Sequence, residues 1–188
     1  PFNNNEYSTG HPALSQDGKT LYFVSDMPGG KGGSDIYMVA INSDGSLGTP
    51  KRLGDNINTE GKELFPFLDS NGTLYFSSNG HMGIGGLDVF YAQAQGDGFG
   101  VVNNLGNGVN SPADDFAYKY DPTTQSGYVS SNREGGLGSD DIYMVAAVEI
   151  PCEVTIAVLV INENTNAAVA GARVDLYDTM GNRLSSKT

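Results

Sequence analysis

One sequence pattern occurs three times in this chain, at a spacing of 53 residues. Each copy has an aromatic run that ends in serine, a glycine-rich segment, and an aspartate followed by two apolar or aromatic residues. The serines and aspartates at these positions are Ser25, Ser78, Ser131, Asp35, Asp88 and Asp141. A fixed long period is the signature of a repeat architecture. The period therefore predicts repeated structural units and directs the search for function towards a repeated surface.

Each copy is predicted to contain short β-strands. In the first copy, residues 20–25 and 35–41 are aromatic and β-branched runs bounded by turn residues. Residues 26–34 lie between them, contain four glycines and predict a hairpin loop. Asp17-Gly18 predicts a tight turn before the second strand. With a short strand at residues 50–53, the unit contains four strands.

Four antiparallel strands in about 50 residues form one blade of a β-propeller, and closed propellers have about four to eight blades. The prediction is therefore an all-β protein in which residues 1–151 are a partial β-propeller of about three four-stranded blades. The fourth strand of the third copy is not apparent. Residues 1–12 occupy the place that residues 54–66 fill before the second copy, so we expect further blades upstream.

The sequence changes character after residue 151. Runs at residues 154–161 and 171–177, and a third that begins at Arg183, predict strands separated by polar turns. Two or three strands lack the second layer that an independent sheet needs. We therefore expect residues 152–188 to be the start of a β-sandwich, cut short.

Composition limits the classes of function. Glycine accounts for 26 of 188 residues, which suits many tight turns, and the formal net charge is −12. Nucleic-acid binding needs clustered Lys and Arg, so that partner is excluded. No apolar run reaches the ~18 residues of a transmembrane helix.

The repeated pattern resembles the WD40-like PD40 repeat of TolB-type propellers. Residues 7–15, 17–23 and 131–136 are similar to one group of OmpA-family envelope proteins. Residues 155–185 resemble the opening of a carboxypeptidase-regulatory-like domain. Some members of that group are associated with type IX secretion and outer-membrane assembly.

The resemblance implies a non-catalytic periplasmic scaffold or adaptor that is associated with the outer membrane. Its expected partners are outer-membrane or secretion-complex proteins. Peptidoglycan would be reached only through an OmpA-like domain outside this sequence. The alternative function is a glycan-binding or peptidase-associated propeller module.

Catalysis is not predicted. The nucleophile motif Gly-x-Ser-x-Gly is absent, and the two histidines, His11 and His81, fall at different places in the repeat. His11 is expected to pack within a blade, and His81 is expected to be a solvated loop side chain. Cys152 stands in a Pro-Cys-Glu linker and is expected to be inert. No cofactor is expected. Asp17, Asp44 and Asp97 precede glycine as turn residues do. A calcium site that uses these aspartates or the pair Asp114-Asp115 and is completed by other loops is the alternative.

The repeated aspartates are expected to cap backbone amides or to bind the hydroxyl of a neighbouring strand. The glycine loops are the candidate partner contacts, because long connections on a rigid scaffold often carry binding residues. Plain tight hairpins are the alternative. The candidate contact residues are Gly29, Gly30, Lys31, Gly32, His81, Met82, Ile84, Arg133, Glu134 and Leu137.

Overall fold

The computed structural model describes residues 2–148 and 157–188. They belong to two compact units, which divide the chain between Val148 and Glu149. The predicted boundary after residue 151 lies outside the described residues. The regular elements of the described residues are all β-strands, which confirms the all-β prediction. No helix in these two ranges has the length and apolar character needed to cross a membrane.

The first unit contains three antiparallel sheets, and neighbouring strands in each sheet follow one another in the chain. Sheet 1 consists of β1 (Thr9–Leu14), β2 (Thr20–Ser25), β3 (Asp35–Ala40) and β4 (Lys51–Arg52). Sheet 2 consists of β5 (Glu63–Leu68), β6 (Leu74–Ser78), β7 (Asp88–Gln95) and β8 (Gly98–Asn104). Sheet 3 consists of β9 (Asp115–Asp121), β10 (Ser126–Ser131) and β11 (Asp141–Ala146).

Sheet 3 corrects the prediction of three four-stranded units. Among the described residues sheet 3 has three strands, and no fourth strand pairs with β11. Strands β10 and β11 nevertheless pair without a register shift from Ser126 to Ser131. Gly127, which replaces the leucine of the other copies, lies against β9, where a Cβ atom would overlap the carbonyl of Lys119.

Strand alternation gives each sheet two apolar faces, one towards the preceding sheet and one towards the following sheet. We call the second the forward face. Tyr22, Val24 and Ile36 on the forward face of sheet 1 belong to one buried cluster with Leu74 and Phe76 of sheet 2. A second cluster joins sheets 2 and 3, with members Tyr75, Val89, Tyr118 and Val129. Two buried clusters of the first unit therefore lie between successive sheets, and a third, formed by Phe23, Tyr37 and Val39, lies on the other face of sheet 1.

The first strands of the sheets lie side by side, with β5 in contact with both β1 and β9. Each of these first strands has a shift in its register with the second strand of its sheet. Each also has a non-glycine residue with positive φ, which is His11 in β1, Phe65 in β5 and Ala117 in β9. The shifts are β-bulges, which redirect side chains. The ring of Phe65 stacks on His11 on one side and on Phe116 on the other, with centroid distances of 4.0 and 5.3 Å. An aromatic stack thus crosses all three sheets.

The segment after each four-stranded sheet has the sequence Leu-Gly-x-x-Ile/Val-Asn, at residues 53–58 and 105–110. We call it the asparagine linker. Asn58 accepts a hydrogen bond from the Ile36 N–H (2.8 Å) and donates to the carbonyls of Ile36 and Leu53. Asn110 accepts from the Val89 N–H and donates to its carbonyl (2.8 and 2.9 Å). The linker therefore continues the hydrogen bonding of the third strand.

The second unit is a small β-structure. Strands β12 (Val174–Tyr177) and β13 (Arg183–Lys187) form an antiparallel hairpin, and Asp178 accepts hydrogen bonds from the turn between them. The predicted strand at residues 154–161 is wrong over its described part. Residues 157–160 are not in a strand, and Ile161 forms a single bridge with Ala168.

Candidate interaction surface

Each glycine loop is fixed by the aspartate that follows it. The Asp35 carboxylate accepts hydrogen bonds from the N–H groups of Lys31 and Gly32, at 2.8 and 3.2 Å. Asp88 accepts from Ile84 and Gly85, both at 2.9 Å, and Asp141 accepts from Gly138 at 3.0 Å. The predicted capping role of the repeated aspartates is confirmed. These carboxylates satisfy amides that a loop would otherwise leave to solvent.

Close approach of the aspartates explains one glycine in each loop. A Cβ atom on Gly30, Gly83 or Gly136 would overlap the carboxylate of the aspartate in the same loop. These glycines are also 53 residues apart. The loop sequence is therefore restricted by the capping contact itself.

The loops of sheets 1 and 2 each contain a second glycine, which lies against the segment that leads into the next sheet. A Cβ atom on Gly32 would overlap the carbonyl of Gly61, and one on Gly85 would overlap the carbonyl of Ala113. Beside them, Gly33 donates to Gly61 and Gly86 donates to Ala113, at 2.6 and 3.2 Å. The loops consequently join successive sheets at the same end.

Three predicted contact residues make hydrogen bonds to the asparagine linkers. The ring Nε2 of His81 lies 2.8 Å from the carbonyl oxygen of Ile57, and the guanidinium of Arg133 donates to Val109 at 2.6 Å. The Lys31 ammonium donates to the Asp55 carbonyl at 3.3 Å. His81 is half-buried against Phe90 rather than solvated. These side chains stabilise the contacts between sheets, and their contact with a partner stays a prediction.

The remaining predicted contact residues lie at the loop tips. Met82 is 94 % exposed, Leu137 is fully exposed, and Ile84 and Glu134 are also exposed. Lys31, Ile84 and Leu137 occupy one position of the repeat. Gly29 adopts a φ of 92°, which a residue with a side chain rarely adopts, at the tip of the first loop. The apolar tips of the second and third loops form the candidate interaction surface.

Two buried carboxylates lie at the starts of sheets 2 and 3; Glu63 was not singled out from the sequence, and Asp115 was considered there only as a possible calcium ligand. Glu63 accepts hydrogen bonds from the Thr59 N–H and hydroxyl and from the Ser78 hydroxyl. Asp115 accepts from the N–H and hydroxyl of Ser111 and from Arg133. A hydroxyl residue four positions before each acid is the shared sequence signal.

Burial and hydrogen bonds in turns shift the pKa values of several side chains. Burial lowers the pKa of His11, whose Nδ1 accepts a hydrogen bond from the Phe65 N–H at 3.3 Å. Burial, with Tyr120 and Asp69 nearby, raises the pKa of Tyr118 to about 12. A hydrogen bond from the Ser15 hydroxyl lowers the pKa of Asp17, as expected for a carboxylate in a turn.

No group of three His, Cys, Asp or Glu side chains that could hold a metal ion occurs within residues 2–148 and 157–188. Cys152 lies outside the described residues. No protein-family model matches the chain, and the comparison with curated proteins found no match.

Proposed function

We propose that sheets 1 to 3 are consecutive blades of a β-propeller, and that residues 157–188 belong to a β-sandwich that follows it. The protein acts in the periplasm as a non-catalytic scaffold or adaptor of the outer membrane. It contacts proteins of outer-membrane assembly or of a secretion complex. The resemblance to PD40 repeats of OmpA-family proteins supports the compartment, and the stacking of the sheets through both faces supports the propeller.

The observation that carries the scaffold function is the set of apolar tips on rigid loops. Met82, Ile84 and Leu137 are exposed, while the backbone of the second loop is held by the buried Asp88 and by a backbone bond to the next sheet. The backbone of the third loop is held by the hydrogen bond from Gly138 to Asp141. A rigid loop loses little conformational entropy on binding. Exposed apolar side chains on such loops suit protein–protein contact.

Substitution with lysine tests this function without disturbing the fold. Lys31 occupies the same position in the first loop, so Ile84→Lys and Leu137→Lys place a residue that this loop already accepts. We expect the double variant to lose most of the outer-membrane or secretion proteins that co-purify with the parent chain from crosslinked envelopes. Val101→Lys is the matched control, because Val101 is exposed on β8, away from the loops.

Two results would overturn the proposal. Either the double variant retains the same partners as the parent chain, or Val101→Lys loses them equally. Unchanged circular dichroism and urea midpoints for all variants would confirm that loss of partners reflects the surface rather than unfolding.

A glycan-binding module is the second candidate function, because aromatic rings often bind sugars by stacking. The rings of His11, Phe65 and Phe116 lie in one row, beside a pocket of about 120 Å³ lined by His11, Phe65 and Lys119. The pocket is smaller than the about 300 Å³ of a usual ligand site, and the rings cover one another's faces. The scaffold function therefore has the stronger support.

A further inference from the structure

The forward face of sheet 3 has the same residue types as the forward faces of sheets 1 and 2 but is exposed. Ile142 is 76 % exposed, whereas its counterparts Ile36 and Val89 are completely buried. Tyr128 is 57 % exposed, and its counterparts Tyr22 and Tyr75 are 9 % exposed. The forward faces of sheets 1 and 2 are thus covered, whereas the equivalent apolar face of sheet 3 is exposed to solvent.

Within residues 2–148 and 157–188, the backbone edge beside this face is also open. In sheet 1, the Ile36 carbonyl accepts from the Leu53 N–H at 3.0 Å, and the Ile36 N–H donates to Asn58. In sheet 2, Leu105 and Asn110 bind Val89 in the same way. At Ile142, within the described residues, neither a fourth strand nor an asparagine side chain binds the equivalent groups. Unpaired strand edges of this kind bind extended segments.

Gly138 provides an independent sign of a missing neighbour. Its counterparts Gly32 and Gly85 are next to backbone carbonyls of the segment that follows the asparagine linker. At Gly138 the nearest atom to a Cβ is the carbonyl oxygen of Asp140, in the same loop, at 3.2 Å. Its φ lies outside the left-handed region, so the local backbone does not require glycine. A backbone that approaches from outside would require it.

We propose that the forward face and open edge of sheet 3 bind an extended polypeptide segment of the type Leu-Gly-x-x-Ile/Val-Asn. Its leucine N–H would donate to the Ile142 carbonyl, and its asparagine amide would bind both backbone groups of Ile142. The two internal linkers identify this occupant, because Leu53 and Ile57 are buried in the same cluster as Ile36. The binding mode is addition of a strand to a sheet edge together with burial of two apolar side chains.

The proposed site is separate from the loop tips in the proposed function. It uses neither Met82 nor Ile84, it meets the tips only where Gly138 follows Leu137, and its binding is measured with a peptide rather than with envelope proteins. The loop variants can therefore lose their partners while the peptide still binds to sheet 3, and the reverse can also occur. The two results are independent.

The test uses the full chain with ¹⁵N labelling and a synthetic peptide with the sequence of residues 49–60, which contains the first asparagine linker. We expect saturable shifts of the amides of Tyr128, Ile142 and Met144 in NMR spectra. A peptide with Leu53→Ala and Asn58→Ala should bind about tenfold more weakly or worse, as expected when anchor residues are removed. A scrambled peptide should produce no shifts.

Gly138→Val tests the close approach from the protein side. The atoms nearest to a Cβ on Gly138 belong to its own loop, so the variant should keep the parent spectrum in sheets 1 and 2 while losing about tenfold or more in peptide affinity. Gly108→Ala is the matched control, since a Cβ there meets nothing within 4 Å and the residue lies outside sheet 3.

Four results would overturn the proposal. The peptide could produce no saturable shifts, the scrambled peptide could bind equally well, or the shifts could lie away from sheet 3. Dimerisation that buries Ile142 and that the peptide does not reverse would also overturn it, because a second copy would then occupy the face.

Discussion

The guanidinium of Arg133 donates a hydrogen bond to the carboxylate of Asp115, whose side chain is completely buried. The same guanidinium donates to the Val109 carbonyl and lies 4.8 Å from the centroid of the Tyr143 ring. Arg133 therefore connects the loop of sheet 3 with the linker and with the first residue of β9. A buried carboxylate without a counter-charge is costly, so this pair is important for the fold.

Arg133→Met is expected to lower the free energy of unfolding by about 3 kcal/mol, because Asp115 would keep a buried charge without its partner. Arg52→Met is the matched control. Arg52 pairs with Asp55, whose side chain is 69 % exposed, and a surface pair contributes less than about 1 kcal/mol. Urea unfolding followed by circular dichroism measures both variants.

A second substitution separates charge from packing. Asp115→Asn in the Arg133→Met background should recover part of the loss, since the buried charge is then absent. Equal destabilisation by Arg133→Met and Arg52→Met would show that the Arg133–Asp115 pair has no special role.

Removal of the asparagine side chain in the first linker gives the next prediction. Asn58→Ala should lower the free energy of unfolding by about 2–3 kcal/mol, because the buried N–H and carbonyl of Ile36 would lose their partner. Asn103→Ala should cost only about 0.5 kcal/mol, since Asn103 is exposed and donates within its own strand. Thermal unfolding of both variants measures the difference. Equal melting temperatures would contradict a stabilising role for the hydrogen bonds of Asn58.

The period of 53 residues allowed the local structure to be predicted, because turns, strand alternation and capping depend on neighbours in sequence. The strands around Ser25 and Asp35 and the capping role of the aspartates followed from it. The role of Glu63 did not, because its partner Ser78 is brought near only by pairing of β5 with β6. His81 was misplaced for a similar reason, since its ring contacts a linker 24 residues away in sequence.

The wrong strand prediction at residues 154–161 has a different cause. Apolar runs predict that a segment is buried, but strand pairing requires a partner edge. Residues 157–160 form no strand, and Val160 accepts a single backbone bond, from the Val169 N–H at 2.9 Å. Sequence patterns therefore predicted the repeating part of the fold better than its last sheet and the second unit.

Gly83 provides a third prediction, on the capping contact. Gly83→Ala should destabilise the chain by about 2 kcal/mol, because a Cβ would overlap the Asp88 carboxylate and displace the loop. Gly108→Ala should change stability by less than about 1 kcal/mol, because its surroundings are open and its φ is not positive. Limited proteolysis would detect opening of the loop, and equal protection of residues 80–86 in both variants would contradict the prediction.

His11 gives the last prediction, which concerns pH. Burial lowers the pKa of His11 below the value of 6.5 that applies in the unfolded chain. Between the two pKa values the unfolded state binds more protons, so the free energy of unfolding falls as the pH is lowered through this range. Above pH 6.5 the stabilising contribution of neutral His11 is present, and its Nδ1 accepts from Phe65.

His11→Phe isolates this effect from other groups. Phe65 occupies the equivalent place in the aromatic stack with a φ of 52°, close to the 48° of His11, so phenylalanine is compatible with this backbone. Urea unfolding at intervals from about pH 7.5 to about pH 5 should show the parent chain losing more stability than the variant. A constant difference between the two across that range would mean that His11 titrates alike in the folded and unfolded chains, and the burial argument would then be wrong.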